Sequence, residues 1–329
     1  MRRLGRAIRH VLIALIVLAG VLWATDPPDL VGGPIAFDPA SLPAGAADLP
    51  GWLAAREAAV PDLRPGEEKR IVWSGTVGAK APLAVVYLHG FSASSEEIRP
   101  VPDQVAAALG ANLFFTRLAG HGRTGAAMAE PVAQDWIEDT AEALAIGQRL
   151  GDRVLIIATS TGGTLAALAA SDPRLNDGLA GVVLISPNFG LRPVAGKILD
   201  LPWAPVWGPV IAGAERSFAP QNAAHAAHWT TTYPTAALFP MASLVRHARR
   251  LDYSTAKMPL LLIQSPEDQV VSPAAARDVL AGWGGPVQMT ERQMGPGDDP
   301  YSHVIAGDIL SPGQTAGTVA LILDWAAGL

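Results

Sequence analysis

Apolar positions along this chain follow two rhythms. Contiguous apolar runs at Leu83-Ala84-Val85-Val86-Tyr87-Leu88, Val154-Leu155-Ile156-Ile157, Gly181-Val182-Val183-Leu184-Ile185 and Leu260-Leu261-Leu262-Ile263 suit strands buried on both faces, as a parallel sheet requires. Shorter runs predict an early strand at 70–73, expected to be antiparallel, and further strands at 112–116 and 287–290. Between the runs the period lengthens. Trp136, Thr140, Leu144 and Gly147 fall at helical spacing and predict a helix over 131–150. Similar patterns predict helices over 98–109, 163–171, 273–283 and 314–327. Strands alternating with helices in this way predict one α/β domain around a mostly parallel sheet. No internal repeat is apparent.

Two stretches break the alternation. Residues 187–257 carry many prolines together with Trp203, Trp207, Phe218, Trp229, Tyr233 and Phe239. The stretch is too long for an ordinary connection and is expected to form an inserted helical cap over an apolar pocket. Most of its aromatics are expected to build the cap's own small core, with one or two turned to substrate. Residues 26–68 are rich in Pro, Ala and Gly, with a helical patch near Trp52 to Ala59. They read as a stalk that packs onto the domain near its end. The expected division is therefore 1–25 as a leader, 26–68 as a stalk, 69–186 with 258–329 as the core, and 187–257 as the cap.

Composition narrows the function. Half of the 329 residues are apolar, 16% are charged and the net charge is −6, so a large core is assured and nucleic acid is excluded as a partner. The absence of cysteine excludes disulfides, thiolate metal sites and a cysteine nucleophile. Arg2, Arg3, Arg6 and Arg9 precede the apolar stretch Val11 to Ala24, a charge order that predicts export. The stretch is shorter than the roughly 20 residues that span a bilayer comfortably, and Leu22-Trp23-Ala24 lacks a small-x-small cleavage pattern. The expectation is an uncleaved signal-anchor holding the protein to the membrane. A cleaved signal peptide, giving a periplasmic or secreted protein, is the alternative.

Ser160 lies in Ala158-Thr159-Ser160-Thr161-Gly162-Gly163, directly after a buried strand and before a helix. Small residues two positions either side allow a turn so tight that the serine hydroxyl stands exposed. Each further candidate, in His89-Gly90-Phe91, Gly120-His121-Gly122, Asp268 and His303, also follows a predicted strand, at the sheet edge where ligands bind in open α/β folds. From residue 69 onwards the chain resembles the α/β-hydrolases, close in pattern to carboxylesterases and monoacylglycerol lipases. Ser, Asp and His occur in that family's order, although Ala158 stands where the family usually has glycine.

That resemblance implies a mostly parallel sheet flanked by helices and a Ser-His-Asp triad. Ser160 would be the nucleophile, His303 its base and Asp268 the acid that orients the base. Backbone N–H groups of Phe91 and Thr161 would form the oxyanion hole. Glu267 is expected to cap a helix, Asp298 and Asp299 to solvate their loop, and His89 and His121 to serve loop geometry. No cofactor is expected. No metal is expected either, since His225-x-x-His228 lacks a nearby third ligand. The expected activity is hydrolysis of small-molecule esters with an apolar acyl group, through an acyl-enzyme. The alternatives are a thioesterase or amidase with the same triad, or a non-catalytic homologue that binds without cleaving.

Overall fold

The computed structural model describes residues 2–25, 31–192 and 194–329. Residues 26–30, where the stalk was expected to begin, lie outside them. The helices are α1 (Arg2–Ala24), α2 (Leu49–Ala58), α3 (Val101–Ala108), α4 (Ala133–Leu150), α5 (Thr161–Ser171), α6 (Ala204–Ala212), α7 (Ala223–His228), α8 (Leu238–Ala248), α9 (Pro273–Leu280) and α10 (Pro312–Ala326). The strands are β1 (Arg70–Val72), β2 (Ala81–Leu88), β3 (Asn112–Phe115), β4 (Gly151–Thr159), β5 (Leu179–Ile185), β6 (Glu215–Ser217), β7 (Thr232–Pro234), β8 (Leu260–Gln264) and β9 (Val287–Glu291).

Among the described residues, seven strands form one sheet in the order β1-β3-β2-β4-β5-β8-β9, and β6 and β7 form a separate hairpin. Only β1 runs antiparallel within the large sheet. This is the α/β-hydrolase architecture. Alternating residues of the central strands divide the core between two faces. Ala84, Val86, Leu88, Ile156, Val182 and Leu184 pack on the side of α4, α5 and α8, whereas Val85, Tyr87, Leu155, Ile157, Val183 and Ile185 pack on the side of α3 and α10. Both sets are fully buried, which is why these strands read as unbroken apolar runs. Leu88 pairs with Ala158 at the carboxyl ends of β2 and β4, so the loops after them emerge side by side.

The N-terminal segment is more closely held than a stalk would be. From Val31 onwards its apolar residues meet the core, and Leu42, Leu49 and Leu53 are buried within it. The Ala36 and Phe37 N–H groups donate to the Glu138 carboxylate at 2.9 and 2.7 Å. Glu57 receives Arg117 through two bonds of 2.9 Å. Burial opposes its charge, but Arg117 and Lys69 outweigh that and hold the carboxyl below its usual range. In α1, by contrast, Leu12, Leu15, Ile16, Leu18 and Trp23 are exposed. Among the described residues no helix is long and apolar enough to cross a membrane.

Candidate active site

β4 ends at Thr159 and α5 begins at Thr161, leaving Ser160 as the corner, with φ 51° and ψ −116°. A non-glycine residue there costs about 1–3 kcal/mol, tolerated only where the surroundings fix it. They do: the Ser160 N–H donates to the Ile185 carbonyl at 3.0 Å, and its own carbonyl accepts the Asn188 and Thr164 N–H groups at 3.0 and 3.2 Å. A Cβ added at Gly162 would stand 2.2 Å from the Leu88 carbonyl oxygen, so this position admits no side chain. Ala158 is buried within β4, where its methyl fits without displacing the strand.

His303 and Asp268 converge on this corner from two later loops. His303 Nε2 lies 3.0 Å from Ser160 Oγ, and His303 Nδ1 lies 2.8 Å from Asp268 Oδ2. A carboxylate only accepts, so Nδ1 carries the proton and Nε2 is left to accept from the serine hydroxyl. Asp268 Oδ1 accepts the Val270 and Val271 N–H groups at 2.8 and 2.9 Å, which locks the carboxylate's orientation. Burial disfavours imidazolium at His303, but Asp268, Glu97 and Asp299 outweigh it and raise its pKa. Glu267 caps no helix; Ser272 occupies that position on α9, and Glu267 is exposed.

Hydrogen bonds account for the loop over residues 89–92 almost group by group. His89 Nε2 accepts the Leu118 N–H at 3.1 Å, so its Nδ1–H donates to the Gly90 carbonyl at 2.8 Å. His121 Nε2 accepts the Ser92 N–H at 3.0 Å, and its Nδ1–H meets the Ala119 carbonyl at 3.1 Å. Both rings must be neutral to do this. Burial lowers the His89 pKa to about 4 and pushes that of His121 well down. The Phe91 N–H and the Thr161 N–H at the start of α5 have no protein acceptor among the described residues. Helix α5 also directs the positive end of its dipole here.

Two groups in the site escaped sequence reasoning. Asp299 does not solvate its loop. It is buried, its Oδ2 accepts the His303 and Val304 N–H groups at 3.0 and 2.9 Å, and its Oδ1 accepts from Tyr301 N and Gln221 Nε2. A turn-forming Asp four residues before a candidate base was the available signal. Glu97, buried after the 89–92 loop, had none, because nothing in local pattern separates it from the exposed acids typical of loops.

Above Ser160 lies a cavity of about 490 Å³, lined by Leu191, Leu199, Leu238, Val271 and Leu310 among others. Phe218, Trp229, Tyr233 and Phe239 all face it, more aromatics than the one or two expected. The helices over it are short and the hairpin strands have three residues each. Elements of that size cannot enclose a core of their own; α6 turns Ala204, Gly208 and Ala212 onto the cavity and leaves Val206, Val210 and Ile211 exposed.

A model of the Hydrolase_4 family, described as serine aminopeptidase, S33, matches residues 79–290. A thermostable monoacylglycerol lipase from Bacillus sp. (strain H-257) is 25% identical over 214 residues, covering 65% of this chain and 80% of that protein. Solved structures show the same fold. One, from work on the metagenome-derived lipolytic enzymes LipS and LipT, has a TM-score of 0.65 at 23% identity, covering 81% of this chain and 100% of that one. Another, a soluble variant of monoglyceride lipase from Saccharomyces cerevisiae, has a TM-score of 0.59 at 12% identity, covering 82% and 95%.

Proposed function

The chain belongs to the Hydrolase_4 family of serine aminopeptidase S33 type and is a serine hydrolase, and from that premise we propose that it cleaves carboxylic esters with an apolar acyl group, using Ser160, His303 and Asp268. One observation carries the reading: the hydrogen-bonded line from Asp268 through His303 to Ser160 opens onto an apolar, aromatic-lined cavity. Ser160 Oγ attacks the ester carbonyl as His303 Nε2 takes its proton, and Asp268 stabilises the imidazolium that forms. The oxyanion is received by the Phe91 and Thr161 N–H groups. His303 then protonates the leaving alcohol, and water releases the acid from the acyl-enzyme by the same route.

Esters are favoured over amino-terminal peptides on charge. A free α-ammonium needs a carboxylate, and both acids lining the cavity are engaged. Asp299 is taken up by backbone amides and Gln221, and Glu97 is held beneath the 89–92 loop. The relative from Bacillus, a monoacylglycerol lipase by description, supports glycerol monoesters as the first substrates to try.

The test is hydrolysis of p-nitrophenyl esters of increasing acyl length by the full chain and by Ser160→Ala. Activity abolished by the substitution, with an optimum in short to medium chains, is expected. No hydrolysis of any ester and no labelling of Ser160 by a fluorophosphonate would replace the proposal with a binding protein on the same fold.

Location is a separate part of the proposal. Four arginines ahead of an apolar run, and the exposed apolar side chains of α1, support export, with α1 either kept as an anchor or removed. Fractionation with amino-terminal sequencing of the mature chain distinguishes these, and a cytoplasmic protein with an intact N-terminus would overturn export.

A further inference from the structure

Glu97 is a charged side chain, 2% exposed, for which the triad and the oxyanion donors have no use. It lines the cavity together with Ser160. Its Oε2 accepts the Gly90 N–H at 2.7 Å and the Tyr87 hydroxyl at 2.8 Å, and Tyr87 in turn accepts from the Thr159 hydroxyl at 3.2 Å. Gly90 is sandwiched between this carboxyl and the serine. A Cβ added there would stand 2.6 Å from Glu97 Oε1 and 3.1 Å from Ser160 Cβ. The loop therefore has one anchor on each side of Phe91: Glu97 on the Gly90 amide and His121 on the Ser92 amide.

We propose that Glu97 is a positioning residue of the oxyanion hole, its carboxylate fixing the Gly90 amide so that the next amide, Phe91 N–H, stays unpaired beside Ser160. The inference rests on the serine-hydrolase reading above. Fixing one amide by a buried anion, rather than by a backbone carbonyl, gives a strong acceptor bond that does not depend on strand pairing. It also means that the hole is preorganised by a group that can titrate.

Burial pushes the Glu97 pKa up to about 7, against the Gly90 N–H, the Tyr87 hydroxyl and His303, which favour its charged form. The charged and titratable groups around it are few. Tyr87 comes from β2 and His303 from the final loop, and Glu96 on its own loop is paired with Arg70 and Arg99. The loop packed on its backbone near Gly307 contributes Asp308, which is engaged by Thr315. His303 and Glu97 thus see each other and titrate as an interacting pair. His303 must lose its proton to act as base, and the Glu97 charge is one of the influences that raise its pKa.

The test compares kcat, KM and the rate of fluorophosphonate labelling in the full chain, Glu97→Ala and Glu97→Gln, on an ester the wild type cleaves. Glu97→Ala is expected to lose about 10–100-fold in kcat and in labelling rate, with KM changed less than about threefold, as for a displaced oxyanion donor. Glu97→Gln keeps an acceptor for Gly90 and is expected to recover most of kcat at pH 8. Its acid limb should lie at lower pH than that of the wild type, because one of the charges raising the His303 pKa is gone. Unchanged kcat and labelling in Glu97→Ala, or an acid limb in Glu97→Gln that stays where the wild type has it, overturns the proposal. If Glu97→Ala does not fold, the Glu97→Gln profile decides alone. Because the wild type and Ser160→Ala are measured first, loss of the esterase reading itself is seen separately.

Discussion

The floor and the roof of the cavity are held in different ways. On the floor, side chains fix backbone groups: Asp268 takes two amides, Asp299 three, and Glu97, His89 and His121 pin the 89–92 loop between them. The roof, formed by α6, α7, α8 and the β6–β7 hairpin, meets the floor mainly through apolar side chains and a few ties. Thr230 N–H donates to the Ser92 carbonyl at 2.7 Å, Gln221 reaches Asp299 at 2.9 Å, and His228 meets Glu67 at 2.8 Å. Directional bonds hold atoms to a fraction of an ångström, as proton transfer and charge stabilisation need. Apolar contacts are non-directional and tolerate changes of shape. On the proposed ester-cleaving reading, the floor sets the chemistry and the roof sets what fits.

The largest effects should come from the floor. Ser160→Ala or His303→Ala is expected to lower kcat on the order of 10⁶-fold, and Asp268→Asn about 10⁴-fold, read from steady-state rates at saturating ester. A residual rate within tenfold of wild type in any of these would break the comparison. Asp299→Ala, which strips acceptors from His303 N and Val304 N, should cost about 10–100-fold in kcat. It should also lower stability by about 1–3 kcal/mol for each buried amide left unpaired, measured by denaturant unfolding.

The pH dependence sharpens the same point. In the proposed mechanism His303 must be neutral to accept the serine proton, so kcat/KM should fall as pH drops below its raised pKa. Asp268 is the largest of the influences raising that pKa. With that charge removed in Asp268→Asn, the residual activity should show an acid limb displaced to lower pH. A limb that stays in place would mean that another group carries it.

Roof substitutions should act on selectivity. Phe239→Ala opens the cavity and is expected to move the acyl-length optimum up with kcat within about threefold, each further buried methylene contributing about 0.8 kcal/mol. Gly208→Ala should do the reverse, because its new Cβ meets the Phe239 ring edge at 2.8 Å and drives it inward. Hydrolysis rates across an ester series check both. The smallest effect is expected for His228→Ala. Glu67 is left buried without its partner, lowering Tm by a few degrees while the kcat on short esters stays within about twofold.

Sequence and structure agree most closely where the constraint is local. The strands at 83–88, 154–157, 181–185 and 260–263, and the helix over 131–150, were legible because burial on both faces or on one stripe leaves a periodic trace. Boundaries moved by a few residues: α3 begins at Val101 rather than Ile98, and α5 begins at Thr161 rather than Gly163. Helix ends depend on caps and turns that periodicity does not register. The roof was legible as an interruption but not in its contents, since the same aromatic residues can fill a core or line a cavity.

Taken alone, the sequence determined the alternation that builds the sheet, and the tight corner at Ser160. It also determined the order of serine, acid and histidine along the edge where strands end. These follow from burial and from sterics between residues near in the chain. Only the tertiary structure decided that Asp299 holds the histidine loop, that Glu97 lies under Gly90, and that four aromatics face the cavity. Those roles depend on distances of about 3 Å between a side chain and the backbone of another segment. A carboxylate buried against an amide and one facing water are written with the same letter.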